Sequence, residues 1–400
     1  MVIFSLALAA GAAYAVPTSP RGVSTVSIDN PVPVGKSPTT GLDWTGDYKP
    51  ILVQINNYVP SRPQWNLSEA DIVYEAINAG YGNGIDRRYH TRYTGVYSDN
   101  HPSFVGPVRS ARIHHLSLRD EWDAVLVHWG GNDWKDSQGK PLITNILGYF
   151  KAHNISTSDP YDFSVDGAND GHDYNGSENN LNDQLTRSTK GEYARNGENN
   201  AIANLDVIAA AYWPKDFTAH SHAYQFTDTP SEGIDGAVEI SIVYGDDFAP
   251  SYTYNPVSKV YERSYCGEPE IDGYTKKRIV ASNVIVQRAT TTFYNGMADG
   301  VLIQLVGEGE ADLFIQGRHI PAKWVRKGDS DRTIFYNSLG VEIPLAPGKT
   351  WIQLITNTMD YTYTRPDGSV ITQKPGKTAS DLETMSLDPE SEQRVQTESD

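Results

Sequence analysis

The sequence predicts an α+β protein, in which an N-terminal α/β domain with a mixed sheet is followed by a β-rich C-terminal domain. The chain has 400 residues, more than one ordinary domain needs. Up to about residue 215, strand-like and helix-like segments alternate, which is typical of α/β folds. From residue 237 onward the apolar segments are short, rich in β-branched residues and separated by Gly and Pro, which favours strands.

Composition divides the chain into five segments. We expect a signal peptide at 1–15, a flexible linker at 16–49, the α/β domain at 50–215, the β-rich domain at 237–357 and a disordered acidic tail at 375–400. The apolar start ends in an A-x-A cleavage site, although no Lys or Arg precedes it as in an ordinary signal. The protein is therefore expected to be extracytoplasmic, either secreted or associated with the cell envelope.

Charge and cysteine content exclude some classes of function. The net charge of −17 argues against nucleic-acid binding, because no basic patch is large enough to overcome that field. Cys266 is the single cysteine, so no intramolecular disulfide can form. Secreted proteins without disulfides are common in bacteria, which favours a bacterial envelope protein. No later segment is apolar and long enough to predict an integral membrane span.

The first predicted elements are a strand, a helix and a second strand. Ile51–Ile55 is β-branched and predicts a strand. Ser68, followed three residues later by Asp71, resembles a capping box and predicts that a helix begins there. In that helix Asp71 and Glu75 would share one face. Arg92–Tyr97 predicts the next strand.

A second helix is predicted from about Val108 to Trp122, after the break at Gly106-Pro107. Arg109 and Arg112 would lie in its first turn, where the partial positive charge of the helix end is unfavourable for them. An anion is therefore expected beside them, either a carboxylate of this protein, such as Asp71 or Glu75, or a group of a ligand.

The remaining elements follow the same rules. Asp123–His128 predicts a strand, and Trp129-Gly130-Gly131-Asn132 predicts a sharp turn at its carboxyl end, where ligands of such sheets usually bind. Leu205–Tyr212 predicts a short helix. Eight strands are predicted in the C-terminal half: Val238–Tyr244, Ser251–Tyr254, Ile279–Gln287, Val301–Val306, Ala311–Ile315, Ile320–Val325, Thr333–Phe335 and Thr350–Ile355.

Several runs of the sequence are similar to the DUF3048 family, and together they cover roughly Ile51 to Ile355. The matching runs are Arg62-Pro63-Gln64, Ala70–Glu75, Thr91-Arg92-Tyr93, Gly106–Arg112, Asp123–Gly131, Asn283–Val286, Trp324 and Pro347–Ile352. The resemblance implies an α/β N-terminal domain, a β-rich C-terminal domain and an envelope location. It implies no biochemical activity, because none is established for the family.

The sequence departs from the family pattern in two places. Leu8-Ala9-Ala10-Gly11 resembles a lipobox, but Gly11 stands where the lipid-bearing cysteine would be, which argues against a lipid anchor. The family tends to have a His-Asn-Leu run beyond the middle of the chain. Here Asn199-Asn200-Ala201-Ile202 stands in that region without the histidine, so a role that the histidine has in the family cannot be assigned to this protein.

The candidate site is a group of arginines, acids and one histidine. Its members are Arg62, Arg92, Arg109, Arg112, Asp71, Glu75 and His128. Read as a binding site, the arginines would hold a carboxylate or phosphate of peptidoglycan or another anionic wall polymer. Read as a catalytic site, Glu75 or His128 would be a general base. Read structurally, the group is a buried ion-pair network.

No metal and no cofactor is predicted. The run Asp166–Asp173 suggests a calcium loop, but Ala168 and Ser177 occupy positions that must supply ligands. His220 and His222 could share one side of a strand, yet no third ligand is identifiable. The leading hypothesis is thus a secreted, non-catalytic binding or scaffolding protein that recognises an anionic wall group or an envelope protein. The alternative is a wall-active hydrolase or transferase, so enzymatic activity stays open.

Overall fold

The computed structural model describes residues 34–81, 88–132, 135, 138–140, 142–152, 162–164, 185–188, 192–195, 199–212, 223–229, 233, 235–293 and 300–375. The predicted signal peptide, calcium loop, His220, His222 and nearly all of the acidic tail lie outside these residues. Within them, the N-terminal half contains seven strands and three helices: β1 Ile51–Asn56, β2 Ile72–Tyr81, β3 Arg88–Tyr97, β4 Val125–His128, β5 Asp162–Ser164, β6 Leu185–Arg187 and β7 Ala201–Ala203, with α1 His114–Glu121, α2 Ile146–Ala152 and α3 Leu205–Tyr212.

The C-terminal half, where the structure describes it, consists of short strands: β8 Asp235–Gly236, β9 Glu239–Ser241, β10 Pro250–Asn255, β11 Val260–Tyr265, β12 Glu268–Pro269, β13 Val280–Ala281, β14 Asn283–Ala289, β15 Thr291–Phe293, β16 Val301–Ile303, β17 Gly307–Ile315, β18 Arg318–Arg326, β19 Ile334–Tyr336, β20 Thr350–Thr356, β21 Tyr361–Thr364 and β22 Val370–Gln373. The α+β class and the β-rich second half are therefore confirmed. Two of these strands, β21 and β22, lie beyond residue 357, where the predicted second domain ended.

One large mixed sheet joins the two halves of the chain. Its order within the described residues is β19-β18-β17-β14-β20-β2-β3-β1-β4-β5, with β8 beside β18. The halves meet where β2 and β20 pair in parallel, with Ile72 opposite Thr350 and Glu75 opposite Gln353. β1 pairs antiparallel with β3 and parallel with β4, which makes the N-terminal part of the sheet mixed as well.

A second sheet packs across the middle of the first. Its described order is β12-β11-β10-β9-β21-β22, with β13 beside β11. Tyr252 on β10 accepts a hydrogen bond from Gln353 at 2.7 Å, and Arg263 on β11 lies 4.1 Å above the ring of Trp351. Because Arg263 on β11 also forms an ion pair with Glu75 on β2, the interior between the sheets is built from both halves of the sequence.

The helix predicted from Ser68 is wrong, because a 3-10 turn at Leu67–Glu69 leads straight into β2. The β-branched pair Ile72-Val73 suits the strand, and β2 is paired on both sides, with β3 and β20. Such long-range pairing outweighs a local cap signal, which stabilises a helix end by only about 1 kcal/mol.

The helix predicted over Val108–Trp122 is wrong at its start, because α1 begins at His114. Residues 107–111 instead run in an extended conformation beside β1 and the turn after β4. Asn56 donates a backbone hydrogen bond to the carbonyl of Pro107 at 2.8 Å, and Ala111 donates to Gly130 at 2.9 Å. These bonds use backbone groups that a helix would need for itself.

The other predicted elements agree with the structure. The helix Leu205–Tyr212 is confirmed with the same bounds, and each of the strands predicted between residues 51 and 355 overlaps an observed one. No helix in the described ranges has the length and apolar character needed to cross a membrane.

Candidate functional site

The strand-like segment 107–111 places Arg109 at the edge of a cavity. Its backbone N–H donates to Gln54 at 2.8 Å, and its carbonyl accepts from Trp129 at 3.0 Å. The side chain is half-buried, whereas that of Arg112 is buried. Because α1 begins only at His114, neither arginine lies in the first turn of a helix, and the electrostatic argument from the helix end does not apply to them.

The cavity, named here the arginine cavity, has a volume of about 460 Å³. It lies where β1, β2 and β3 meet the segment 107–111. Its described lining consists of Asn56, Tyr58, Asn78, Tyr81, His90, Thr91, Arg92, Arg109, Asn199 and Phe248. Two of these ten described side chains are arginines and none is acidic, so this described part of the lining has a positive charge.

Contacts with neighbouring groups fix the polar side chains of the arginine cavity. Arg92 is buried and its Nη1 donates to the carbonyl of Ser110. Asn56 donates from Nδ2 to Ser61 at 2.6 Å and to Asn199 at 3.1 Å, and Ser61 donates to Asn199 at 2.7 Å. The amides are therefore preorganised, and little side-chain entropy remains to be lost when a ligand binds.

Aromatic rings form another side of the arginine cavity. The ring of His90 stacks on Phe248 with centroids 4.7 Å apart and lies 4.5 Å from Tyr81. Tyr58 lies 6.2 Å from His90 and is half exposed, as is Tyr81. Burial lowers the pKa of His90; the charge of Asp247 opposes this effect and the charge of Arg62 adds to it.

The three histidines near the arginines are enclosed in the protein. His128 is fully buried, and its Nδ1 lies 2.8 Å from the carbonyl of Gly130. Burial, with Arg112 and Arg92 nearby, lowers the pKa of His114 to about 3. Burial likewise lowers the pKa of His115. None of them lines the arginine cavity, so the structure does not bring His128 to the place where a ligand would sit.

Glu75 lies between the two sheets rather than beside Arg109 and Arg112. Both Glu75 and Arg263 have fully buried side chains, and Nη2 of Arg263 lies 2.6 Å from the carboxylate. Glu75 also accepts hydrogen bonds from Thr91 at 2.6 Å, Tyr265 at 3.0 Å and Asn57 at 3.3 Å. Glu75 therefore forms a buried ion pair, but with Arg263 and not with the predicted Arg109 or Arg112.

Asp71 belongs to a separate cluster at the start of β2. Its Oδ2 accepts from the hydroxyl of Thr39 at 3.0 Å and from the backbone of Ser98 at 2.8 Å and Asp99 at 3.0 Å. Thr40 donates to Asp99 at 2.7 Å. Burial, and then the charge of Asp99, raises the pKa of Asp71 to about 7. Asp71 thus accepts hydrogen bonds from one hydroxyl and two backbone amides, not from the predicted arginines.

The same cluster corrects the C-terminal end of the predicted linker. Ser37, Thr39 and Thr40 are buried, and Gly348 donates a backbone hydrogen bond to Thr40 at 2.7 Å. A side chain at Gly41 would collide with the ring of Phe226. Residues 37–41 therefore pack on the protein, because their hydroxyls hydrogen-bond to the buried carboxylate of Asp71 and the partly buried carboxylate of Asp99.

Arg62 stands beside the arginine cavity and lines a second one of about 370 Å³. Its guanidinium lies 5.1 Å from the ring of Phe248 and 4.2 Å from that of Tyr265. It donates from Nη2 to the carbonyl of Asp247 at 2.7 Å and from Nε to Asn57 at 3.1 Å. The second cavity has as its described lining Arg62, Pro63, Gln64, Tyr265, Glu268, Pro269, Glu270, Ile271, Asp272, Gly273 and Lys276.

Sequence reasoning missed the groups that join the two halves. Arg263 and Tyr265 lie on β11, a strand that was not predicted, although Val260–Tyr265 has the alternating burial of a half-buried strand. His90 lies on β3, which begins four residues before the predicted strand Arg92–Tyr97. The alternation of Tyr261, Arg263 and Tyr265 after the turn at residues 256–259 was the available signal for β11.

These observations define a two-sheet α+β protein in which an arginine-lined cavity and a second cavity lie side by side. The chain belongs to the DUF3048 family. The "Protein of unknown function (DUF3048) N-terminal domain" matches residues 39–163, and the corresponding C-terminal domain matches residues 240–352. Most of the arginine cavity falls in the first match and most of the second cavity in the second.

A named relative and a solved structure support this assignment. The chain is 26% identical over 330 residues to the Bacillus subtilis (strain 168) protein called "Putative lipoprotein YerB", covering 80% of this chain and 86% of the relative. It is also similar to the crystal structure of the YerB protein from Bacillus subtilis, with a TM-score of 0.60 and 25% identity over 80% of this chain and 96% of that one.

Proposed function

We propose that this chain is an extracytoplasmic, non-catalytic binding protein whose arginine cavity holds an anionic group of a cell-wall polymer. The observation behind the proposal is the described lining of that cavity, which contains Arg92 and Arg109 together with amide side chains and aromatic rings. The extracytoplasmic location is supported by the apolar start of the sequence and by the word "lipoprotein" in the name of the relative.

The chemistry of the lining suits a carboxylate or phosphate on a sugar. Guanidinium groups bind such anions through paired, charge-assisted hydrogen bonds. The half-exposed rings of Tyr58 and Tyr81 and the amides of Asn56 and Asn199 offer the apolar faces and hydrogen-bonding groups that a sugar ring needs. A volume of about 460 Å³ lies within the ordinary range of small-molecule sites.

The surroundings of the two candidate bases favour binding over the hydrolase or transferase alternative. A general base must reach the proton that it removes. Glu75 is fully buried and lines neither cavity. Its carboxylate pairs with Arg263 and accepts hydrogen bonds from Thr91, Tyr265 and Asn57. His128 is also fully buried, with Nδ1 against the carbonyl of Gly130. These enclosed positions support structural roles for both groups.

The test is isothermal titration calorimetry with N-acetylmuramic acid, a carboxylate-bearing wall sugar, and with inorganic phosphate. Arg109→Ala should weaken binding of the anion at least tenfold, because a charge-assisted hydrogen bond in a half-buried site contributes about 1.5–3 kcal/mol. Arg109→Lys should retain part of the affinity, since the charge remains and the paired geometry is lost.

Arg318→Ala is the matched control, because Arg318 is exposed on β18 and lines neither cavity. It removes the same charge and should leave the affinity unchanged. Equal affinities for wild type, Arg109→Ala and Arg318→Ala, or no binding of either anion to wild type, would refute the proposal.

A further inference from the structure

The two cavities are neighbours: Arg62 lines the second cavity and packs against Phe248, which lines the arginine cavity. The guanidinium of Arg62 lies above Phe248, which lines the arginine cavity, and stacks 4.2 Å from Tyr265, which lines the second. Its charge also lowers the pKa of His90 in the arginine cavity. A ligand in one cavity would therefore be separated from a ligand in the other by the side chain of Arg62.

One buried hydrogen-bond network connects lining residues of both cavities. Thr91 of the arginine cavity and Tyr265 of the second cavity both donate to Oε1 of Glu75, at 2.6 and 3.0 Å. Asn57 bridges the same two side chains, donating to Thr91 at 2.8 Å and to the hydroxyl of Tyr265 at 2.7 Å. Because these groups are buried and mutually hydrogen-bonded, the relative position of the cavities is fixed in advance.

The wall of the second cavity is equally rigid. Asp272 is fully buried and accepts four backbone hydrogen bonds, from Asn66, Ser68, Tyr274 and Thr275, at 2.8–3.1 Å. The next residue, Gly273, donates to the carbonyl of Gln64 at 2.7 Å. A Cβ there would stand 2.9 Å from the carbonyl of Pro63, so a larger residue would push the two walls apart.

The charges of the second cavity nearly balance, in contrast to those of the arginine cavity. Asp272 is satisfied by backbone amides, and Glu270 is paired with Arg263. Lys276 contacts Glu192 at 3.1 Å and the carbonyl of Gly273. The remaining lining offers the carboxylate of Glu268 and apolar surfaces from Pro63, Pro269 and Ile271, of which Ile271 is 40% exposed. Such a lining suits an uncharged sugar ring better than a second anion.

We infer that the two cavities form one elongated site for an acidic oligosaccharide, with an anionic sugar unit in the arginine cavity and an uncharged neighbouring unit in the second cavity across Arg62. This inference rests on the proposed function and adds the ligand class. It requires that a monosaccharide uses one cavity and that a longer chain uses both. Affinity must then rise with chain length, and the gain must depend on the second cavity.

The experiment compares N-acetylmuramic acid with a wall-glycan tetrasaccharide of alternating N-acetylglucosamine and N-acetylmuramic acid, both by calorimetry. Ile271→Asp places a charge among the apolar surfaces of the second cavity, and the exposure of Ile271 makes the change compatible with folding. The control is Leu339→Asp, an exposed aliphatic side chain outside both cavities.

Wild type and Leu339→Asp should bind the tetrasaccharide at least tenfold more tightly than the monosaccharide. In Ile271→Asp this difference should disappear, while the affinity for the monosaccharide stays the same. Equal affinity of wild type for both sugars, or a tetrasaccharide advantage that survives in Ile271→Asp, would overturn the elongated site and leave the proposed function intact. Failure of wild type to bind either sugar would overturn the elongated site, and it would overturn the proposed function as well if inorganic phosphate also fails to bind.

Discussion

Asp71 and Glu75 are two buried carboxylates four residues apart at the beginning of one strand, and they have opposite surroundings. Glu75 faces the fully buried guanidinium of Arg263 at 2.6 Å. Asp71 faces the hydroxyl of Thr39 and the carboxylate of Asp99, with no cation among its hydrogen-bond partners in the described residues. The sequence places both acids in one candidate site, whereas the structure gives one to the interface of the sheets and the other to the N-terminal segment.

The difference shows how a buried acid can be accommodated in two ways. In a buried ion pair, the attraction of the guanidinium offsets part of the cost of removing the carboxylate from water. Hydrogen bonds to Asp71 favour its charged form, but burial and the nearby charge of Asp99 outweigh them and raise its pKa to about 7. Glu75 should therefore govern the stability of the fold, and Asp71 should govern how that stability changes with pH.

The largest expected effect comes from breaking the Glu75–Arg263 pair. Arg263→Met should lower the free energy of unfolding by about 3–5 kcal/mol, because it leaves a buried carboxylate without its counter-charge. Urea unfolding measures this loss. The double variant Glu75→Leu/Arg263→Met removes both charges and should recover part of the stability. A loss below about 1 kcal/mol in Arg263→Met would contradict the structural role of the pair.

A smaller, pH-dependent effect is expected at Asp71. Its pKa is about 7 in the folded protein and near 3.8 when unfolded, so the unfolded state releases the proton first as pH rises. This group's contribution to stability is full below pH 3.8 and is lost as pH rises toward and through 7. Each pKa unit corresponds to about 1.4 kcal/mol.

The comparison variant is Asp71→Asn, which cannot titrate. Between pH 5 and 8, the free energy of unfolding of wild type should fall relative to that of Asp71→Asn. Parallel curves across this range would show that Asp71 keeps an ordinary pKa in the folded protein.

The smallest effect is expected from the hydroxyls that hold residues 37–41. Thr40→Val removes a 2.7 Å hydrogen bond to Asp99 and keeps the shape of the side chain. It should cost about 1–2 kcal/mol, because the acceptor is a carboxylate that is only partly exposed to water. Chemical unfolding of Thr40→Val beside wild type checks this value. An unchanged stability would mean that the segment does not depend on this contact.

Local pattern predicted much of the fold and only part of the site. The β-branched strands β1, β14 and β20 and the helix Leu205–Tyr212 could be read directly, because their local preference and tertiary environment agree. The segments at 68–77 and 108–113 could not, because pairing with distant strands overrides their helical signals.

The candidate site illustrates the same limit. Arg92 and Arg109 line one cavity, and Arg62 lies beside it, as a shared ligand-binding role would require. Arg263 is 188 residues from Glu75, and no local feature of the sequence links them. The pair can be identified only from the three-dimensional structure, in which the second sheet packs on the first.

The most direct test of the arginine cavity is a crystal structure of residues 34–375 soaked with N-acetylmuramic acid. The carboxylate should lie within hydrogen-bonding distance of the guanidinium groups of Arg92 and Arg109, with the sugar ring beside Tyr58 or Tyr81. A sugar bound elsewhere on the protein, with the arginine cavity empty, would contradict it.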